Sequence, residues 1–289
     1  MKKTVIYKED VNFSIKADFY GTNQENAPVI IYIHGGGLIW GTRDEISKEM
    51  VQLYTNNGFS LFSIDYRLAP STKLPEILED IKDAILWIQI EGPKQFSIDP
   101  KKIAVVGSSA GGFLALTTGT FTNKPSAIVS FYGYGDLVGS WATSPSKYYC
   151  QKDIVSKELA YQLITDKIVT EASVEERFLF YVYARQNGVW IEEITGVNLS
   201  DNKEALYQFC PNRNVTNEFP PTLLLHGTKD SDVPYEQSVF MRGALIKQSV
   251  EARLITIPNG EHVFDKNFED PIVQHALQQV IDFLKTHLN

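Results

Sequence analysis

Cysteine is nearly absent: the 289 residues hold only Cys150 and Cys210. Two are too few for a disulfide scaffold, so free thiols and a cytoplasmic setting are expected. Basic residues are in the minority, with 27 Lys plus Arg against 35 Asp plus Glu and a formal net charge of −8. That balance argues against a nucleic-acid or anionic-membrane partner. No uncharged apolar run approaches the roughly 18 residues of a membrane span, so no integral membrane association is expected. The opening residues, MKKTVIYKED, return to charge before a signal-peptide apolar region can form. No His/Asp/Glu cluster with ligand spacing such as H-E-x-x-H occurs, so no metal is expected. Internal repeats and low-complexity tracts are missing as well. The remaining composition, 43% hydrophobic and 21% charged, is that of an ordinary globular chain.

Val11, Phe13, Ile15, Ala17 and Phe19 alternate with polar residues, which predicts a half-buried antiparallel strand over Val11–Tyr20. Short continuous apolar runs follow at Val29–Ile33, Ser60–Ile64, Ile103–Val106, Ala127–Phe131 and Leu223–Leu225, the mark of strands covered on both faces. Between them lie helix-period patterns, Ile46, Met50, Leu53 and Tyr54 in one and Ile77, Ile81, Ala84, Ile85 and Ile88 in another. Strand and helix in alternation mean an α/β chain with a mostly parallel central sheet flanked by helices. The rhythm breaks at Gly133–Phe219, an aromatic-rich stretch with helical patterns around Lys157–Lys167 and Val174–Arg185. It resumes at Pro220–His226, with a helix near Tyr235–Lys247, a strand near Ala252–Ile257 and a helix near Pro271–His287. Residues 1–132 and 220–289 therefore form one body, and 133–219 a helical cap inserted before the last strands.

The strongest chemical signal is Gly107-Ser108-Ser109-Ala110-Gly111, a G-x-S-x-G between the strand Ile103–Val106 and a small-residue helix, Gly112–Thr117. A sharp turn there lifts Ser109 out of the strand end, and only tiny neighbours let the chain pass itself. A serine hydroxyl is a weak nucleophile, so it needs a base and an acid that orients the base. Among five histidines, His275 and His287 fall in the C-terminal helix as solvated residues, and His34 and His226 end strands. His262, in the Asn259-Gly260 loop after Ala252–Ile257, is the base. Asp230, preferred over Asp232, follows Leu223–Leu225 and is the acid. The loop His34-Gly35-Gly36-Gly37 can present amides to a developing oxyanion, with Gly36, Gly37 and Ala110 as donors. Leu38, Ile39 and Trp40 beside it are expected to form part of a modest apolar or aryl pocket.

Together with Asp65-Tyr66-Arg67-Leu68-Ala69-Pro70 and Leu78-Glu79-Asp80 leading to Trp87, the His34–Gly37 and Gly107–Gly112 motifs resemble the hormone-sensitive-lipase-like esterases, the acetyl esterase/lipase branch of the α/β-hydrolase fold. The likeness runs from about Ile30 to Phe131 and over Thr222–Phe264. The order Ser109, Asp230, His262 is the order of that fold. The resemblance implies a serine carboxylesterase without a cofactor, acting on a small-molecule ester. Members usually carry N-terminal cap helices, whereas strands begin almost at once here, so the insertion must supply the lid. An amidase, arylformamidase or oligopeptidase-like hydrolase and a non-catalytic ligand receptor on the same fold are the competing readings. A homodimer is compatible with the sequence.

Overall fold

A computed structural model describes residues 2–288. Eight strands form one sheet: β1 (Lys2–Asp10), β2 (Phe13–Tyr20), β3 (Ala27–Ile33), β4 (Ser60–Ile64), β5 (Ile98–Ser108), β6 (Ala127–Phe131), β7 (Thr222–Gly227) and β8 (Ala252–Ile257). Their order is β1-β2-β4-β3-β5-β6-β7-β8, with β1/β2 and β2/β4 antiparallel and the rest parallel. The chain thus has the α/β-hydrolase fold that the resemblance implied.

The helices between strands are α1 (Lys48–Asn56), α2 (Leu74–Ile90), the single turn α3 (Gly92–Gln95) and α4 (Ala110–Thr118). Between β6 and β7 lie α5 (Ser140–Thr143), α6 (Lys157–Tyr161), α7 (Val174–Asn187), α8 (Trp190–Thr195) and α9 (Leu199–Asn202). The series closes with α10 (Glu236–Lys247) and α11 (Pro271–Leu288). Period-2 geometry divides the strand residues between two cores. Val29, Ile31, Ile33 and Val105 face α2, α4 and α10, while Ile30, Tyr32, Ala104 and Val106 face α1 and α11. Local chemistry sets the helix ends: Ser47 caps α1 through Met50 N, Pro75 sits in the first turn of α2, and Ser173 with Glu176 forms a capping box on α7.

Three expectations are corrected. The strand predicted from Val11 starts at Phe13, because Val11 sits in the β1–β2 turn, 97% exposed, with its N–H on Asp10 Oδ1. The helix predicted over Lys157–Lys167 stops at Tyr161. Downstream, the backbone is taken by the body: Leu68 N–H donates to Val169 O at 2.8 Å, and Gly41 and Ala172 form an antiparallel bridge. His287 is sheltered, its ring 4.6 Å from that of Phe283 and its Nε2 3.6 Å from Glu251 Oε2, whereas His275 is exposed.

That strap at residues 168–172 also carries Glu171, which meets Lys16 at 3.2 Å and Arg43 at 2.9 Å. Arg43 is buried and further pairs with Asp65 at 2.5 Å and Asp18 at 3.2 Å. Burial works against its charge, and the carboxylates overcome that, raising the guanidinium above its ordinary value. Arg43→Ala leaves the buried Asp65 carboxylate without its counter-ion, while Asp18 keeps Lys2 at 2.7 Å, and is expected to cost about 3–5 kcal/mol, read by urea unfolding.

Candidate active site

In parallel sheets the carboxyl ends of the strands share one edge, and the sequence motifs collect there. Ser109 stands between β5 and α4 with φ 56° and ψ −118°, a region unfavourable to a side-chain-bearing residue. Its N–H donates to Phe131 O at 2.9 Å, which holds the turn against β6. Two glycines make the passage possible. A Cβ at Gly107 would lie 2.1 Å from Gly111 O, and one at Gly111 would lie 2.1 Å from Ile33 O.

The structure brings Ser109, His262 and Asp230 together. His262 Nε2 lies 3.0 Å from Ser109 Oγ, and His262 Nδ1 lies 2.7 Å from Asp230 Oδ2. A carboxylate can only accept, so Nδ1 carries the proton and Nε2 is free to accept from the serine hydroxyl. Asp230 has no exposed side-chain surface. Its Oδ1 accepts the N–H groups of Asp232 and Val233, both at 2.9 Å. Burial pushes the Asp230 carboxyl up, but hydrogen bonds from His226 and His262 reverse this and hold it well below the usual carboxylate range. For His262, burial lowers the imidazole, and the Asp230 hydrogen bond with the charges of Asp232, Asp230 and Asp265 outweighs it, so the net shift is upward.

His226 supplies a contact that sequence reading missed. Its Nε2 is 3.0 Å from Val233 O and 3.3 Å from Asp230 Oδ2, and Ser238 Oγ is 2.7 Å from its Nδ1. Val233 O accepts only, so Nε2 bears the proton, shared with Asp230, and the Ser238 hydroxyl donates to Nδ1. A histidine four residues before the acid at the end of β7 was the available signal. Tyr132, after β6, was also missed as a site residue. Its ring lies 4.7 Å from that of His262, and its hydroxyl donates to Asp265 Oδ1 at 2.5 Å. Burial pushes the Asp265 carboxyl up despite that bond.

Gly36 and Gly37 take positive φ, 91° and 61°, in a loop held by its carbonyls. Tyr66 OH donates to Gly35 O at 3.0 Å, and Trp190 Nε1, from α8, donates to Gly37 O at 3.0 Å. His34 stacks on Tyr66 at 4.3 Å, wholly buried, and burial lowers its imidazole to about 4. Ala110 opens α4 directly after Ser109, with its side chain buried in the core.

A cavity of about 150 Å³ is bordered by Ser109, His262, Gly36 and Gly37. Of the three expected pocket residues only Trp40 lines it; Leu38 and Ile39 are wholly buried in the core. Apolar Ile46, Met50 and Val263 and the rings of Trp40, Tyr32 and Tyr132 share the lining with Ser108, Asp232, Asp265 and Lys266. Among the described residues no group of three or more His, Cys, Asp or Glu is arranged to hold a metal ion. No described helix is long and apolar enough to cross a membrane.

A family model described as BD-FAE matches residues 18–245. A solved protein of unknown function from Staphylococcus aureus subsp. aureus Mu50 is similar at 27% identity, TM-score 0.81 and full coverage of both chains. An α/β-hydrolase superfamily protein from Enterococcus faecalis is 26% identical with TM-score 0.79 over 99% of each chain. A structure titled bacterial heroin esterase, 20% identical with TM-score 0.73, covers this whole chain and 84% of its own, and shares the fold. Among curated relatives, a non-reducing polyketide synthase of Preussia isomera is 25% identical over 96% of this chain, which spans only 13% of that protein's length.

The imidazole environments are directly measurable. In an NMR pH titration, the His262 ring is expected to titrate above 6.5 and His34 near 4. Asp230→Asn is expected to bring the His262 midpoint down.

Proposed function

The chain belongs to the BD-FAE family of α/β-hydrolase-type proteins, and from that premise we propose that it is a serine carboxylesterase. The observation that carries the reading is the unbroken line Ser109 Oγ, His262 Nε2, His262 Nδ1, Asp230 Oδ2, at 3.0 and 2.7 Å. In the proposed cycle Ser109 attacks the ester carbonyl while His262 Nε2 takes its proton. His262 then gives that proton to the leaving alcohol oxygen, and Asp230 stabilises the charged imidazole between the two transfers. Water, deprotonated by His262, releases the acid from Ser109. The oxyanion is assigned to the amides of Gly36, Gly37 and Ala110; loop carbonyls tied back by Tyr66 and Trp190 support that orientation.

Residues 133–219 act as a cap on a body made of 1–132 and 220–289. Supporting this are Trp190 and Tyr181 of the insertion, which press on Gly37, the Tyr181 ring lying 2.8 Å from the point where a Gly37 Cβ would stand. The cavity's volume, about that which accommodates one benzene-sized ring, favours short acyl groups and small-molecule esters.

Ser109→Ala is expected to lower kcat on p-nitrophenyl acetate by about 10⁴-fold or more and to abolish labelling by a fluorophosphonate probe. An undiminished rate would sink the assignment. Across p-nitrophenyl esters, kcat/KM is expected to be highest for acetyl to butyryl and to fall steeply by decanoyl. Faster cleavage of the long chain would contradict the cavity's size.

A further inference from the structure

One carboxylate beside the reacting atoms has no part in the proposed cycle. Asp232 stands two residues beyond Asp230 and lines the cavity with Ser109 and His262. Its oxygens are in unlike situations. Oδ1 accepts the Tyr181 hydroxyl at 2.9 Å and lies 3.3 Å from Arg185 Nη1. Oδ2 lies 4.0 Å from His262 Nε2, and the Tyr149 hydroxyl also faces this carboxylate.

What stands behind Asp232 holds it in place. Arg185 is 2% exposed and is surrounded by the rings of Trp141, Tyr149, Tyr181 and Trp190, with centroids 4.9–5.6 Å from its guanidinium carbon. Arg185 Nη2 also donates to Asp232 O at 3.2 Å. The acceptor is therefore held from its far side, with one oxygen left toward the cavity, the arrangement of a pre-oriented recognition group.

The position of Oδ2 says what it would meet. The leaving oxygen of an ester must come within hydrogen-bond reach of His262 Nε2 to take its proton. A carboxylate oxygen 4.0 Å from that nitrogen is then within reach of a group one or two carbons along the alcohol. We propose that Asp232 is a specificity-determining residue whose Oδ2 receives a hydrogen-bond donor, a hydroxyl or a protonated amine, on the second carbon of the ester's alcohol part. This inference rests on the serine-esterase reading. It also predicts rejection of a carboxylate at the same place, through like-charge repulsion.

The test compares kcat/KM for 2-hydroxyethyl acetate and 2-(dimethylamino)ethyl acetate with that for propyl acetate, at a pH where the amine is protonated. The wild-type protein is expected to prefer both donors by about tenfold, the order of a hydrogen bond to a charged acceptor. Asp232→Ala is expected to bring both ratios close to one. Asp232→Asn keeps an oxygen for Tyr181 and Arg185 and is expected to lose the amine preference. Ratios are taken within each enzyme, so a general loss of activity cancels. A wild-type ratio within about twofold of one, or ratios unchanged in both variants, would overturn the proposal while leaving the esterase reading intact. Failure of the wild type to cleave all three esters would overturn the esterase reading and this proposal with it.

Discussion

Everything at the site is measured from one tight passage of the backbone. Ser109 holds a left-handed φ because β5 must turn into α4 while α4 lies almost against the end of β3. The contact between Gly111 and the Ile33 carbonyl sets the depth of α4, and the Phe131 carbonyl fixes the amide of Ser109 from the other side. Such strain persists only where the surroundings over-determine it. Here β3, β5 and β6 do so, and their ends supply the glycine loop, the serine and Tyr132. The ends of β7 and β8 add Asp230 and His262 at the same edge.

The second level of organisation is the attachment of the insertion. Strap 168–172 is joined to the loops after β3 and β4 by backbone bonds, and Glu171 enters the ionic group around Arg43. α8 reaches the glycine loop through Trp190, and α7 reaches the acid loop through Tyr181 and Arg185. Loop geometry near Ser109 is thus set from both sides. Glycines give the loop its conformational freedom, and side chains about 150 residues away in sequence remove it again.

The inner parallel strands were legible because burial on both faces leaves continuous apolar runs, and β4 and β6 begin and end where those runs do. Ser109, His262 and Asp230 were legible as candidates because small residues and Asn-Gly punctuation mark strand ends. β1 escaped because its outer position leaves most of it exposed and polar. Leu38 and Ile39 were misplaced because sequence proximity to an exposed loop says nothing of which way a side chain turns at φ 65°. The shortened α6 was unreadable for a related reason: the strap's pairing with Gly41 and Leu68 is a long-range contact with no local pattern. The same holds for the roles of His226 and Asp265, which depend on partners brought by other elements.

The ring-lined enclosure of Arg185 bears on how molecules enter and leave. Lifting α7 away would drag a guanidinium out of four aromatic faces and strip Asp232 of its counter-ion together. Displacement of α7 as a unit is thus opposed by a buried ion pair and by cation–π contacts at the same time.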